Sequence, residues 1–294
     1  PGGRVGVAMS APSAAAAVPT SEADGLIRLY RAAEPDGTGL VWMHGGGFAF
    51  GDLDMPEADA VARGLAAAGT TVLSVDYRLA PVPPTWDGAD QQIEDRTGNR
   101  YPAASDDVLR AWDWATSHAD ELGVTRLAIG GASAGANLAT GATLRLLGAG
   151  GILPRLVVLA YPTLLAVQPA PGPALRAALT AHPEHDRFGT DVVREMYENY
   201  LGGSVIGAPI AAVPGLASAA ELRGFPPTLM INSEIDELSV SGDVFATTLR
   251  AAGGDVDVVV EPGTDHGHLN RPEHPGFTAS MARIVRRFAD LAAS

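Results

Sequence analysis

The chain contains no cysteine. Disulfides, thiolate metal sites and a cysteine nucleophile are therefore excluded outright. It is also poor in positive charge: 20 Lys plus Arg stand against 34 Asp plus Glu, a formal net charge of −14. So acidic a surface repels phosphate backbones and anionic lipids, and neither nucleic acid nor a membrane is an expected partner. No long, regular apolar run suits a transmembrane helix. Residues 156–175 carry no charge, but Pro162, Pro169, Pro171 and Pro173 interrupt them. The first twenty residues hold alanine without a leucine-rich segment, which makes a poor secretory signal, and a cytoplasmic location is the expectation. No internal repeat is evident, and the helical H-E-x-x-H spacing of zinc proteases is absent.

What is present is material for one large α/β domain. The length is 294 residues, of which 46% are hydrophobic, enough for a substantial core. Short β-branched or leucine-rich runs predict strands at 26–31, 39–43, 71–75, 126–130, 156–160, 228–232 and 256–260. Helical spacing predicts helices at 56–68, 103–118, 134–148, 190–201, 241–252 and 277–292. This alternation implies a mostly parallel sheet flanked by helices, and such sheets bind ligands beyond the carboxyl ends of their strands. Two segments interrupt it. Residues 82–100 are Pro-rich, then polar, and too long for an ordinary connection. Residues 162–225 are rich in Pro, Ala and Gly and hold one amphipathic helix. Both are read as coverings of a site, the longer one as an inserted cap.

Chemistry concentrates at strand ends. The run Leu40-Val41-Trp42-Met43 stops at His44 and three glycines, Gly45, Gly46 and Gly47. Glycine is costly to order, so three together suggest backbone N–H groups presented where a side chain would block them. Gly131-Ala132-Ser133-Ala134-Gly135 follows a strand and opens an apolar helix. In that context Ser133 projects from a tight strand–turn–helix, where the helix dipole favours developing negative charge. Asp236 follows the strand at 228–232, and His266 follows the strand at 256–260. Ser133, Asp236, His266 is the chain order of a Ser-Asp-His triad on a parallel α/β sheet.

Taken together, these motifs resemble the bacterial hormone-sensitive-lipase-like esterases of the α/β-hydrolase superfamily. The likeness runs from about Gly25 to Phe288. It rests on His44-Gly45-Gly46-Gly47-Phe48, Asp76-Tyr77-Arg78-Leu79-Ala80-Pro81, Tyr101-Pro102-Ala103-Ala104 and Ser133-Ala134-Gly135, then on Phe225-Pro226-Pro227-Thr228, Asp236-Glu237-Leu238 and His266-Gly267. The resemblance implies an α/β-hydrolase fold and a serine carboxylesterase that forms an acyl-enzyme on short-chain esters, with no metal and no organic cofactor. It implies Ser133 as nucleophile, His266 as base and Asp236 as its orienting acid, with Glu234 the nearest substitute. It also implies an oxyanion hole from the N–H groups of Gly46, Gly47 and Ala134. A homodimer is common among such proteins. The chain departs from the pattern at Ala132, Ala136 and His268, in the extra residues 82–100, and in showing no cap helices ahead of residue 25.

Other readings stay open at this level. The same triad serves amidases, lactonases and carbamate hydrolases. Asp265, His266, His268 and His274 cluster in sequence, as do His182, His185 and Asp186, and either group contains metal-ligand types. Phe48, Trp86, Leu164, Leu165 and Tyr197 are candidate liners of a substrate pocket, with ordinary core packing the competing reading.

Overall fold

The structure is a computed structural model, and it describes residues 18–83, 86 and 98–294. Of the segment 82–100, residues 84, 85 and 87–97 lie outside the described residues. Eight strands form one sheet: β1 (Thr20–Glu22), β2 (Ile27–Tyr30), β3 (Thr38–Met43), β4 (Thr71–Val75), β5 (Arg126–Ala132), β6 (Val157–Ala160), β7 (Thr228–Ile235) and β8 (Val256–Asp265). Their order is β1-β2-β4-β3-β5-β6-β7-β8. The β1–β2 and β2–β4 pairs are antiparallel, and every later pair is parallel. The helices are α1 (Pro56–Ala67), α2 (Ala103–Ser117), α3 (Ala119–Leu122), α4 (Ala134–Ala149), α5 (Pro173–Ala181), α6 (Thr190–Leu201), α7 (Ser239–Ala251) and α8 (Pro275–Ala292).

Helices cover both faces of the sheet, so its central strands bury side chains on both sides and read as continuous apolar runs. β3 illustrates this. Val41 and Met43 pack with Val108 and Trp112 of α2 and Leu138 of α4. Leu40 and Trp42, one residue out of step, pack with Val61 and Leu65 of α1 and Ile284 and Phe288 of α8. Among the described residues, no helix is long and apolar enough to cross a membrane.

The structure departs from the sequence-based expectation in several elements. β1 and the one-turn α3 have no clear periodic signal. α5 lies in the Pro-rich stretch, where Pro173 occupies the first turn, the one place in a helix where the missing N–H is harmless. β7 and β8 run to Ile235 and Asp265, beyond the predicted ends. β8 continues through Pro262 and Gly263 because it is the last strand of the sheet, and an edge strand tolerates proline. That extension pairs Ile235 with Asp265 across an irregularity at Ser233–Ile235. It sets the next residues of the two strands, Asp236 and His266, side by side.

Candidate active site

Ser133 occupies the turn between β5 and α4 with φ +53° and ψ −115°, a conformation that costs a non-glycine residue about 1–3 kcal/mol. The surroundings hold it there. A Cβ on Gly131 would lie 2.4 Å from the carbonyl carbon of Gly135, and one on Gly135 would lie 2.3 Å from the Met43 carbonyl oxygen. Only glycine permits α4 to start so close to β3 and β5. The Ser133 N–H donates to the Ala160 carbonyl at 2.9 Å, which fixes the turn against β6.

His266 Nε2 lies 2.9 Å from Ser133 Oγ, and its Nδ1 lies 2.7 Å from Asp236 Oδ2. A carboxylate only accepts, so the imidazole proton resides on Nδ1 and Nε2 faces the serine as a base. Asp236 is buried, and its other oxygen accepts the Leu238 N–H at 3.0 Å. The imidazole is wedged edge-on between Tyr161 (5.0 Å) and Phe188 (4.6 Å). The other acids of this region point elsewhere. Glu234 accepts the Gly263 N–H at 2.7 Å. Asp265 is gripped by Arg271 and touches His185 at 3.2 Å. Burial pushes the Asp265 carboxyl up, but the Arg271 contact outweighs it and holds the group below the usual carboxylate range. Asp243 sits in α7.

The glycine loop abuts this triad: a Cβ on Gly45 would lie 3.1 Å from Ser133 Cβ. The Gly46 carbonyl accepts from the N–H groups of Ala49 and Phe50, closing a tight turn. Gly46 and Gly47 have φ of +113° and +58°. Among the described residues, the N–H groups of Gly46, Gly47 and Ala134 have no acceptor, and Gly46 and Gly47 line the same cavity as Ser133. The Gly45 N–H is different, because it donates to Glu57 Oε1 at 2.6 Å. His44 and the Asp76–Pro81 motif brace the loop: the Tyr77 hydroxyl donates to the His44 carbonyl at 2.8 Å, and the His44 and Tyr77 rings stack at 4.4 Å. Arg78 next door grips Asp107 of α2 through two nitrogens, at 2.8 and 2.9 Å.

Sequence reasoning missed Glu57. Its second oxygen accepts the Tyr161 hydroxyl at 2.7 Å, and its backbone N–H donates to Asn270 Oδ1 at 3.3 Å. One buried residue thus ties the glycine loop to the ring beside His266 and to the segment after it. Burial pushes Glu57 above the usual carboxylate range, although the Tyr161 and Gly45 donors pull it back. Nothing in the pattern of α1 signals this role, since its partners are 12, 104 and 213 residues away.

A cavity of about 770 Å³ opens over Ser133 and His266. Its apolar lining comes from Phe50, Met55, Trp86, Phe188, Val192 and Met196. Of the five sequence-based pocket candidates, only Trp86 is there. Phe48 stacks on Tyr200 at 4.1 Å inside the core, and Leu164, Leu165 and Tyr197 are buried away from the cavity. Sequence identifies them as apolar near the site, but the strand pleat and helix face decide which way each points. The segment 162–225 does supply wall residues, namely Arg187, Phe188, Val192 and Met196.

The first histidine cluster disperses in space. His268 is fully buried with one ring nitrogen 2.9 Å from Ser233 Oγ and the other 2.8 Å from Ser280 Oγ, a clamp between β7 and α8. Burial drives its pKa down to about 4. His274 accepts the Gly276 N–H and caps α8. Of the second cluster, His182 and His185 gather near α5, but with Glu184, which was not among the candidates, while Asp186 is held by Arg176 at 2.8 Å.

With this geometry in view, comparison with known proteins is specific. The family described as alpha/beta hydrolase fold matches residues 40–93 and 97–270. An ethyl acetate hydrolase of Pseudomonas putida is 33% identical over 257 residues, covering 83% of this chain and 71% of that protein. The carboxylesterase NlhH of Mycobacterium tuberculosis is 34% identical over 240 residues, covering 79% of this chain and 66% of its own length. The matched stretches therefore leave part of each relative's own length uncovered. Among solved structures, the Pyrobaculum calidifontis esterase superposes with a TM-score of 0.74 at 28% identity, covering 91% of this chain and 81% of that one.

Proposed function

The chain belongs to the α/β-hydrolase fold family, among its hormone-sensitive-lipase-like esterases, and on that premise we propose that it is a serine carboxylesterase acting on small esters of short-chain acids. The observation that carries the reading is the relay itself, Ser133 Oγ to His266 Nε2 at 2.9 Å and His266 Nδ1 to Asp236 at 2.7 Å, beside three unclaimed backbone donors. Ser133 Oγ attacks the ester carbonyl while His266 Nε2 takes its proton. The carbonyl oxygen becomes an oxyanion and is met by the N–H groups of Gly46, Gly47 and Ala134. Collapse of this intermediate expels the alkoxide, which receives the proton from His266, and leaves an acyl group on Ser133. Water, deprotonated by the same base, then releases the acid and restores the serine. Asp236 keeps the proton on Nδ1 and stabilises the imidazolium formed in both halves. Glu57 positions Gly45 and Tyr161 and touches no reacting atom.

The limited apolar wall of the cavity supports short acyl groups. Each methylene adds up to about 0.8 kcal/mol of binding only while apolar wall remains to meet it. A wall of six apolar side chains is soon exhausted. The segment 162–225, which carries part of that wall, acts as the cap. A cytoplasmic place of action belongs to the same proposal and is tested by fractionating cells that express the protein. The decisive experiment compares kcat/KM over p-nitrophenyl esters, anilides and lactones, with organophosphate labelling in parallel. The expected result is a maximum between acetate and hexanoate with label on Ser133 alone. Faster turnover of amides or lactones, or label on another serine, overturns the reading.

A further inference from the structure

Two arginines stand at the cavity of a strongly acidic molecule. The protein is strongly acidic, and its sequence has no lysine, so its fixed side-chain cations are all arginines. Two of them, Arg187 and Arg271, line the cavity that holds Ser133 and His266. Two carboxyl groups also border it, Glu57 and Asp265. Glu57 is buried with both oxygens engaged by Gly45 and Tyr161. Asp265 is bound closely to Arg271 and is shared with His185. Arg187 reaches Asp265 only at 3.9 Å, beyond hydrogen-bonding distance, and its side chain is half exposed. Among the described residues, no acceptor lies within hydrogen-bonding distance of this guanidinium, which lines the cavity.

Position makes this more than a surface charge. The Arg187 guanidinium lies over the Phe188 ring at 5.7 Å, and that same ring packs against His266 at 4.6 Å. Asp265, Asn270 and Arg271 flank His266 in the chain. The cations thus stand on the His266 side. The Gly47 side is apolar, since Phe50 and Trp86 stack at 5.9 Å and a Cβ on Gly47 would meet Met196 and Trp86. His266 Nε2 must hand its proton to the departing oxygen, so the leaving alcohol occupies the His266 side and the acyl chain the apolar one.

Resting on the esterase reading above, we propose that the leaving-group side of the cavity recognises alcohols that carry a carboxylate, with Arg187 as the specificity-determining residue and Arg271 in support. A planar guanidinium offers paired N–H donors that match a carboxylate's two oxygens, and its seat on Phe188 fixes its orientation before substrate arrives. The contact is present in both ground and transition states, so it acts on KM more than on kcat.

The test uses acetate esters of three alcohols of matched length, 4-hydroxybutanoate, its methyl ester and 4-(trimethylammonio)butanol. The charges lie several bonds from the reacting oxygen, so leaving-group strength is nearly constant. At low salt the anionic ester is expected to exceed the neutral one about five-fold in kcat/KM, the scale of one partly exposed ion pair. That ratio should fall toward one in Arg187→Gln and at high salt, and Arg187→Glu should invert it in favour of the cationic ester. A ratio at or below one in the unaltered protein, or one unchanged by Arg187→Gln, overturns the inference. So does a preference that appears only on the acyl side, when monoethyl succinate is compared with diethyl succinate. If even the neutral ester is not turned over and an organophosphate does not label Ser133, the esterase reading itself has failed, which is a separate result.

Discussion

The turn around Ser133 and the segment 162–225 face each other across the cavity, yet they are built on opposite terms. At the turn, backbone meets backbone. Added Cβ atoms at Gly131 and Gly135 would come within 2.4 Å and 2.3 Å of main-chain atoms. In the segment 162–225, Gly172, Gly189 and Gly203 have nothing within 4 Å of an added Cβ, and of its glycines only Gly215 would bring a Cβ comparably close to main chain, 2.6 Å from the Leu164 carbonyl oxygen. The scaffold side fixes the reacting atoms within hydrogen-bond reach of one another, as proton transfer requires. The segment 162–225 supplies wall and charge through Arg187, Phe188, Val192 and Met196, on a surface excursion where substrate preference is open to change.

Substitutions that remove the relay should have the largest effect. Ser133→Ala or His266→Ala is expected to reduce kcat by roughly 10⁴–10⁶, with circular dichroism unchanged. Asp236→Asn should cost about 10⁴ through the wrong tautomer. If Glu234→Gln proved worse than Asp236→Asn, the assignment of the acid would have to change.

The glycine loop sets scaffold against cap within two residues. A Cβ on Gly46 would lie 2.2 Å from the Phe50 carbonyl oxygen, whereas one on Gly47 meets Met196 Sδ at 3.4 Å. Gly46→Ala must therefore displace the loop and should lose about 10²–10³ in kcat. Gly47→Ala bears only the left-handed backbone penalty of about 1–2 kcal/mol and should lose on the order of ten-fold. Equal losses in steady-state kinetics would remove the distinction between the two positions.

Stability should divide the same way. Gly135→Ala forces α4 away from β3 and should destabilise by about 3 kcal/mol or more in urea titration. Gly203→Ala should stay within about 0.5 kcal/mol.

The effect confined to the narrowest range of conditions is expected from pH. His268 has a folded pKa of about 4 against 6.5 when free, because burial disfavours its charged form. The unfolded chain therefore binds the proton more readily between these values. The contribution is complete above the free value, declines as pH falls toward the folded one, and is level below that. His268→Phe removes the titration, so the slope of Tm against pH should flatten between the two values. An unchanged slope would assign the acid sensitivity of the protein to other groups.

The residues that bear the chemistry were legible because their local surroundings are written in adjacent sequence. Gly131 to Gly135 follow an apolar strand and open an apolar helix, and a turn that tight leaves room for only the smallest residues beside a projecting serine. His44 to Gly47 read the same way. The cavity wall was not legible. Phe48 and Phe50 are two residues apart in one loop, but only Phe50 faces the cavity. Leu164 and Tyr197 have the right chemistry and neighbourhood, and their side chains turn inward.

By itself, the sequence determined the alternation of strands and helices, the parallel sheet that follows from it, and the order Ser133, Asp236, His266. These depend on hydrophobic period and on what glycine, proline and serine do locally, and such properties travel with a few neighbouring residues. Tertiary structure decided the rest. It chose Asp236 over Glu234 and Asp265 through the extended pairing of β7 with β8. It turned His268 into a clamp between Ser233 and Ser280. It brought Glu57 to Gly45, Tyr161 and Asn270, and Arg187 to the His266 side of the cavity. Each of these joins residues far apart in the chain, and the direction of a side chain is set by the packing of whole elements.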